Sequence, residues 1–191
     1  MKSRLRKDDY RKIYEMLDEV SPIDGDCGRL CSAACCTCDG DCKDDDFNLG
    51  IYLLPGEDKL FTKDEDWLIW STERAEDYYY PDSWHGKVYF VRCKTPPVCE
   101  RKLRPLQCRT YPLAPHLTDE GKLIMITNAS ELPYECPLIR DNIKLREDFT
   151  EATWKAWSIL ITDPLIYDLV EMDSQYRDRE NAQYRIIFAP E

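Results

Sequence analysis

Apolar positions along this chain change their period repeatedly, and each change marks a different kind of element. From Ser3 to Val20 the residues Leu5, Tyr10, Ile13, Tyr14, Leu17 and Val20 share one face at a spacing near 3.6, with charged residues on the other. That pattern predicts an amphipathic helix, ended by Ser21-Pro22, because the residue before a proline is pushed out of the helical region. Periodicity then disappears. Residues 27 to 42 are dominated by Cys, Asp and Gly, which predicts a turn around Gly28 to Cys36 followed by a loop. Leu49-Gly-Ile-Tyr-Leu-Leu54 reads as a short strand, terminated by Pro55-Gly56 before a turn of helix carrying Glu57 and Asp58. Trp67-Leu-Ile-Trp70 and Tyr78-Tyr-Tyr80 are aromatic runs of the kind that fill a core, and Val88-Tyr-Phe-Val91 predicts a strand leading into Cys93.

The stretch from Arg92 to Leu113 is punctuated by Pro96, Pro97, Pro105 and Pro112, with Pro115 just beyond. Prolines at that density exclude regular helix and predict a looping backbone. His116-Leu-Thr118 and Lys122 to Thr127 flank Asp119-Glu-Gly121 and predict a β-hairpin. From Leu138 the pattern is helical again. Phe149, Ala152, Trp157, Leu160 and Ile161 mark one helix, and Leu165, Ile166, Leu169 and Met172 mark a second. Pro164 fits the first position of that second helix with Asp163 as its cap. The tail after Tyr176 is polar, and the apolar Ile186 to Phe188 predicts docking. The expected fold is a single α+β domain over residues 1–191: a cysteine-rich, irregular core at about 25–140 with short strands, and a helical C-terminal third from about 141.

Composition narrows the function. At 191 residues with 43% hydrophobic content the chain fits one core of ordinary size. Its formal charge of -11 argues against nucleic acid, which needs clustered Lys and Arg on one face, and against an anionic membrane surface. The charged segment Met1 to Lys12 is unlike a secretory leader, and no run approaches the ~20 apolar residues of a membrane span. A cytoplasmic protein is expected.

Ten cysteines carry the remaining signal, six of them between Cys27 and Cys42. They run Cys27-x3-Cys31-x3-Cys35-Cys36-x-Cys38-x3-Cys42, then Cys93-x5-Cys99-x8-Cys108-x27-Cys136. In a reducing compartment such clustering favours metal or redox chemistry over structural disulfides. A zinc ion or an iron-sulfur cluster each takes about four thiolates, so the count alone does not choose the metal. Four thiolates around a divalent ion leave a net charge of about -2. Arg104 and Arg109, interleaved with the thiols, are the cations expected to offset it, because a guanidinium keeps its charge when desolvated. His85 and His116 read as surface or core residues. Asp39, Asp41, Asp44, Asp45 and Asp46 read as a solvated loop, without the ligand order of a calcium-binding loop. There is no glycine-rich nucleotide-binding loop and no local Ser or Cys nucleophile motif with a paired His, so no catalytic residue is assigned.

Cys27, Cys31 and Cys35-Cys36, followed by Cys93, Cys99, Arg104-Pro-Leu-Gln-Cys108-Arg109-Thr-Tyr111-Pro112 and Cys136, resemble the YkgJ-like cysteine-cluster family of zinc- or iron-chelating proteins. Gly50-Ile-Tyr-Leu-Leu-Pro-Gly-Glu57 resembles the segment after the first cluster in a clostridial-type subgroup. The resemblance covers about residues 25 to 140. It implies a metal site drawn from Cys27, Cys31, Cys35, Cys36, Cys93, Cys99, Cys108 and Cys136. Cys38 and Cys42 lie outside the shared pattern. Zinc is the expected metal, with a [4Fe-4S] cluster as the alternative, since the same core resembles that of the flagellin lysine N-methylases. The metal ion is the expected partner; a protein partner is left open, with none named.

Overall fold

A computed structural model describes residues 2–36, 49–94, 101–130 and 132–190. Cys38, Cys42, Cys99 and the aspartate run from Asp39 to Asp46 lie outside the described residues. Helix α1 spans Lys7–Asp18, shorter than its sequence pattern because residues 3 to 5 are held elsewhere. The Asp163 carboxylate accepts from the Ser3 hydroxyl at 2.7 Å and from the Arg4 amide at 2.5 Å. The α1 face carrying Tyr10, Ile13 and Leu17 is fully buried.

Two three-stranded antiparallel sheets follow. The first has the order β1 (Ile51–Tyr52), β3 (Lys87–Cys93), β2 (Leu68–Arg74). Strand β2 corrects the reading of Trp67 to Trp70 as core-filling aromatics alone: Leu68 pairs with Cys93 and Trp70 with Val91 in one register. Gly50, just before β1, stands where a Cβ would meet the Phe90 ring at 2.4 Å and the Val91 carbonyl at 2.7 Å. Only glycine fits that approach of backbone to ring.

The second sheet has the order β4 (Leu113–Leu117), β5 (Leu123–Thr127), β6 (Ile186–Phe188). The expected hairpin is present, but its first strand begins earlier than the sequence pattern suggests and includes Pro115, which an edge strand tolerates. The C-terminal apolar tail docks as a strand, with Met125 opposite Phe188.

Between the sheets the chain forms α2 (Leu106–Thr110). This corrects the expectation that prolines exclude helix throughout: Pro105 and Pro112 leave room for a single turn between them. Helices α3 (Pro137–Arg140), α4 (Glu147–Leu160) and α5 (Pro164–Arg179) complete the described elements. Asp163 caps α5 as its sequence position implied, accepting from the Leu165 amide at 2.9 Å. The main core joins Ile13 and Leu17 of α1, Leu106 of α2, Met125 of β5, Phe149 and Leu160 of α4, and Ile166 of α5. No helix among the described residues is long and apolar enough to cross a membrane.

Candidate metal centre

The first thiols sit on a tight coil. Asp26 accepts from the Gly28 amide at 3.0 Å and starts a short turn of 3-10 helix at Cys27–Leu30. Ser32 and Ala33 then adopt φ of 51° and 58°, left-handed values that cost a non-glycine residue about 1–3 kcal/mol. Backbone bonds Ala33 N–H to Gly28 C=O at 2.8 Å and Cys36 N–H to Ala33 C=O at 2.7 Å close the coil. The Cys35 and Cys36 sulfurs lie 3.9 Å apart. Four thiolates around zinc at ~2.3 Å would have sulfur-sulfur edges of about 3.8 Å, so this pair fits one edge of such a site.

Cys108 and Arg109 come from α2, and a buried carboxylate fixes that turn. Gly56, at φ 93°, allows the Leu54-Pro55-Gly56-Glu57 turn to direct Glu57 inward, where only 1% of it is exposed. Its Oε1 accepts from the Leu106 amide at 2.7 Å and the Tyr14 hydroxyl at 2.5 Å, and its Oε2 from the Leu54 amide at 2.9 Å. Burial raises the Glu57 pKa, against these three bonds and the nearby Arg109 charge, which pull it down.

Arg109 is wholly buried. Its Nε donates to the Arg104 carbonyl at 2.7 Å, its Nη2 to the Lys102 carbonyl, and its Nη1 to the Tyr14 carbonyl and the Asp18 carboxylate. The guanidinium carbon stands 4.1 Å from the centre of the Tyr14 ring. These contacts hold the turn before α2 against α1, a role beyond the charge neutralisation expected of Arg109. Arg104 lines a cleft of about 420 Å³ together with Asp18, Glu19, Asp26 and Cys27.

Cys136 opens α3 with Pro137 at the first helical position, and it packs against the main core. Burial raises its thiol pKa, outweighing the Leu138 and Ile139 amides that favour the thiolate. A cation is therefore needed to hold it as thiolate near neutrality. Tyr111 and Tyr134 lie alongside, ring centres 6.2 Å apart. Burial raises the Tyr134 pKa well above its ordinary value, and the thiols of Cys35, Cys108 and Cys136 push it the same way. Burial likewise raises Tyr111, with Tyr134 and Cys136 adding to it. Cys31 in turn acts on Cys136 and lines a cleft of about 400 Å³ with Tyr134, Glu135 and Arg140.

Thiols from the 27–36 coil, from α2 and from the start of α3 thus all act electrostatically on the single phenol of Tyr134. Cys27 packs on the main core, and Cys93 ends β3 opposite Leu68. Among the described residues no three Cys, His, Asp or Glu side chains form a ready-made metal site. His85 is exposed, and His116 is 3% exposed beside Asp178 and Tyr184.

Sequence reasoning missed Tyr14, Asp18, Glu57, Tyr111 and Tyr134 as neighbours of the centre. Glu57 and Tyr111 stand inside the quoted motifs, and that was their only sequence signal. Set against protein-family models, curated proteins and solved structures, the chain finds no match.

Proposed function

We propose that this chain is a cytoplasmic metal-binding protein of the YkgJ-like kind, holding zinc through clustered cysteine thiolates. The ligands come from Cys27, Cys31, Cys35, Cys36, Cys93, Cys99, Cys108 and Cys136. The observation that carries the reading is that Cys35, Cys108 and Cys136, from segments far apart in sequence, all act electrostatically on the Tyr134 phenol. The 3.9 Å spacing of the Cys35 and Cys36 sulfurs supports it. So does the burial of Cys136, which makes a thiolate there costly without a cation. Bound zinc would supply the positive charge that turns these thiols into thiolates and ties their segments together.

Elemental analysis of anaerobically purified protein tests the reading. Stoichiometric zinc is expected, lost in Cys35→Ser and Cys108→Ser. Iron with acid-labile sulfide and a visible absorbance band would replace zinc by a [4Fe-4S] cluster on the same thiols. A metal-free protein that takes up neither on reconstitution overturns the proposal.

A further inference from the structure

The first sheet carries a small aromatic cluster on one face. Leu53, Leu68 and Val91 are its buried centre, and Phe61, Trp67, Trp70 and Tyr89 pack around them while staying partly exposed. Trp70 and Tyr89 share this face because Trp70 pairs with Val91 and Thr72 with Tyr89, placing them on a diagonal. Their rings stand 6.0 Å apart at 77°, and Phe61 meets Trp70 at 5.7 Å and 72°. Three rings, each of the two neighbouring pairs near perpendicular, form a corner.

A cation is seated at that corner. The Lys63 ammonium lies 3.8 Å from the Tyr89 ring centre and 5.6 Å from that of Trp70. Lys63 has φ of 70°, a left-handed backbone that favours Gly or Asn. A lysine is therefore an unfavourable choice for the backbone at this position, and it is the side chain that gains, through its contact with the rings. The loop is closed by Glu65, whose Oε1 accepts from the Thr62 amide at 2.6 Å. Glu65 Oε2 and Trp70 Nε1 are buried and have no hydrogen-bond partner. An unused acceptor and an unused donor thus belong to the residues that build the corner.

We propose that Phe61, Trp70 and Tyr89 form a receptor for an alkylated ammonium group, and that Lys63 occupies it as the protein's own stand-in for that ligand. The negative faces of the rings attract a cation. A methylated ammonium suits them better than a primary one, because it has fewer or no N–H groups to strip of water and brings methyl groups that pack on the rings. Displacing Lys63 frees it to its ordinary hydration. The ligand class is a quaternary or methylated amine, either a small molecule or a methylated lysine side chain.

The test follows the Trp70 indole N–H resonance, assigned by its loss in Trp70→Phe. Wild type, Lys63→Gln and Lys63→Gln/Tyr89→Leu are titrated with tetramethylammonium, with a trimethyllysine peptide and with the same peptide unmethylated. Lys63→Gln should bind the methylated probes about two- to fivefold more tightly than wild type, the factor that loss of an exposed internal competitor of this kind gives. Tyr89→Leu should abolish that binding while leaving far-UV circular dichroism unchanged. Binding of both methylated probes, or of tetramethylammonium alone, supports a receptor for the amine itself. Binding of the methylated peptide alone supports a protein lysine as the source. If neither methylated probe shifts the resonance in Lys63→Gln, if the unmethylated peptide binds as well as the methylated one, or if Lys63→Gln gains nothing over wild type, the proposal fails. Should Tyr89→Leu not fold, Trp70→Phe with intrinsic fluorescence quenching as readout serves in its place and should weaken binding.

Discussion

Glu57 concentrates the most structure in one side chain. It is buried to 1% exposure and accepts two amides and a phenol from three separate segments. Glu57→Ala leaves those donors unpaired in the interior, and urea unfolding should show a loss of about 3 kcal/mol or more, since each stranded donor costs ~1–3 kcal/mol. Arg109→Lys should also destabilise, by roughly 2–4 kcal/mol, because an ammonium cannot reach two turn carbonyls, the Tyr14 carbonyl and the Asp18 carboxylate at once. His116 sets a pH dependence. Its burial, helped by the Arg177 charge, lowers its pKa from 6.5 against the opposing Asp178 and Asp119 charges. The unfolded chain therefore takes up the proton first. The stability due to neutral His116 is complete above about pH 6.5 and is lost as pH falls through the lower folded value. Glu57 works in the other direction: its raised pKa favours the fold fully below 4.5, and that contribution is lost as pH rises through the folded value. Between pH 7 and pH 5.5 the denaturant midpoint of wild type should fall relative to that of His116→Gln, which lacks the His116 contribution and keeps the opposing one of Glu57.

Among the elements, α2 is the joint on which the site depends. It is a single turn, held at its start by Glu57 and along its side by Arg109, and Leu106 anchors it in the main core. Cys108 is thus fixed by contacts made by its neighbours. Serine at Cys108 or Cys35 should lower bound metal more than serine at Cys42, which lies outside the shared cysteine pattern; inductively coupled plasma analysis of the three variants tests the ranking, and equal losses would contradict it. Asp163 is the corresponding joint at the other end of the chain. It caps α5 and ties down residues 3 to 5 with the same carboxylate. Asp163→Ala should cost about 2–3 kcal/mol, the sum of a lost cap and of donors left without an acceptor.

In the whole molecule, a metal bound at the proposed cysteine centre would add to the stability that the main core supplies. The core is built mainly from α1, α4, α5 and the second sheet, with Leu106 of α2 and Leu138 of α3 reaching into its edge. A thiolate zinc site contributes on the scale of ~10–16 kcal/mol in small domains, as much as the ~5–15 kcal/mol of a whole fold. Chelation should therefore lower the melting temperature and release amide protection in residues 27–36, α2 and 133–140, while α4 and α5 keep theirs. Hydrogen exchange read by mass spectrometry distinguishes this from uniform loosening. By itself the chain's pattern determined the three long helices, the strand entering Cys93, the hairpin around Asp119 to Gly121 and the cap at Asp163, because each is signalled by an apolar period, a turn or a cap read within a few residues. The resemblance of its cysteine motifs to a chelating family, and not spacing alone, implied the candidate ligands. Only the tertiary structure decided that Leu68 to Trp70 belong to a strand, that one helical turn fits between Pro105 and Pro112, and that Tyr14 and Glu57 fix the turn that carries Cys108. Those outcomes depend on which distant segments pack together, and burial of a Glu or a Tyr depends on partners that its sequence neighbours do not reveal.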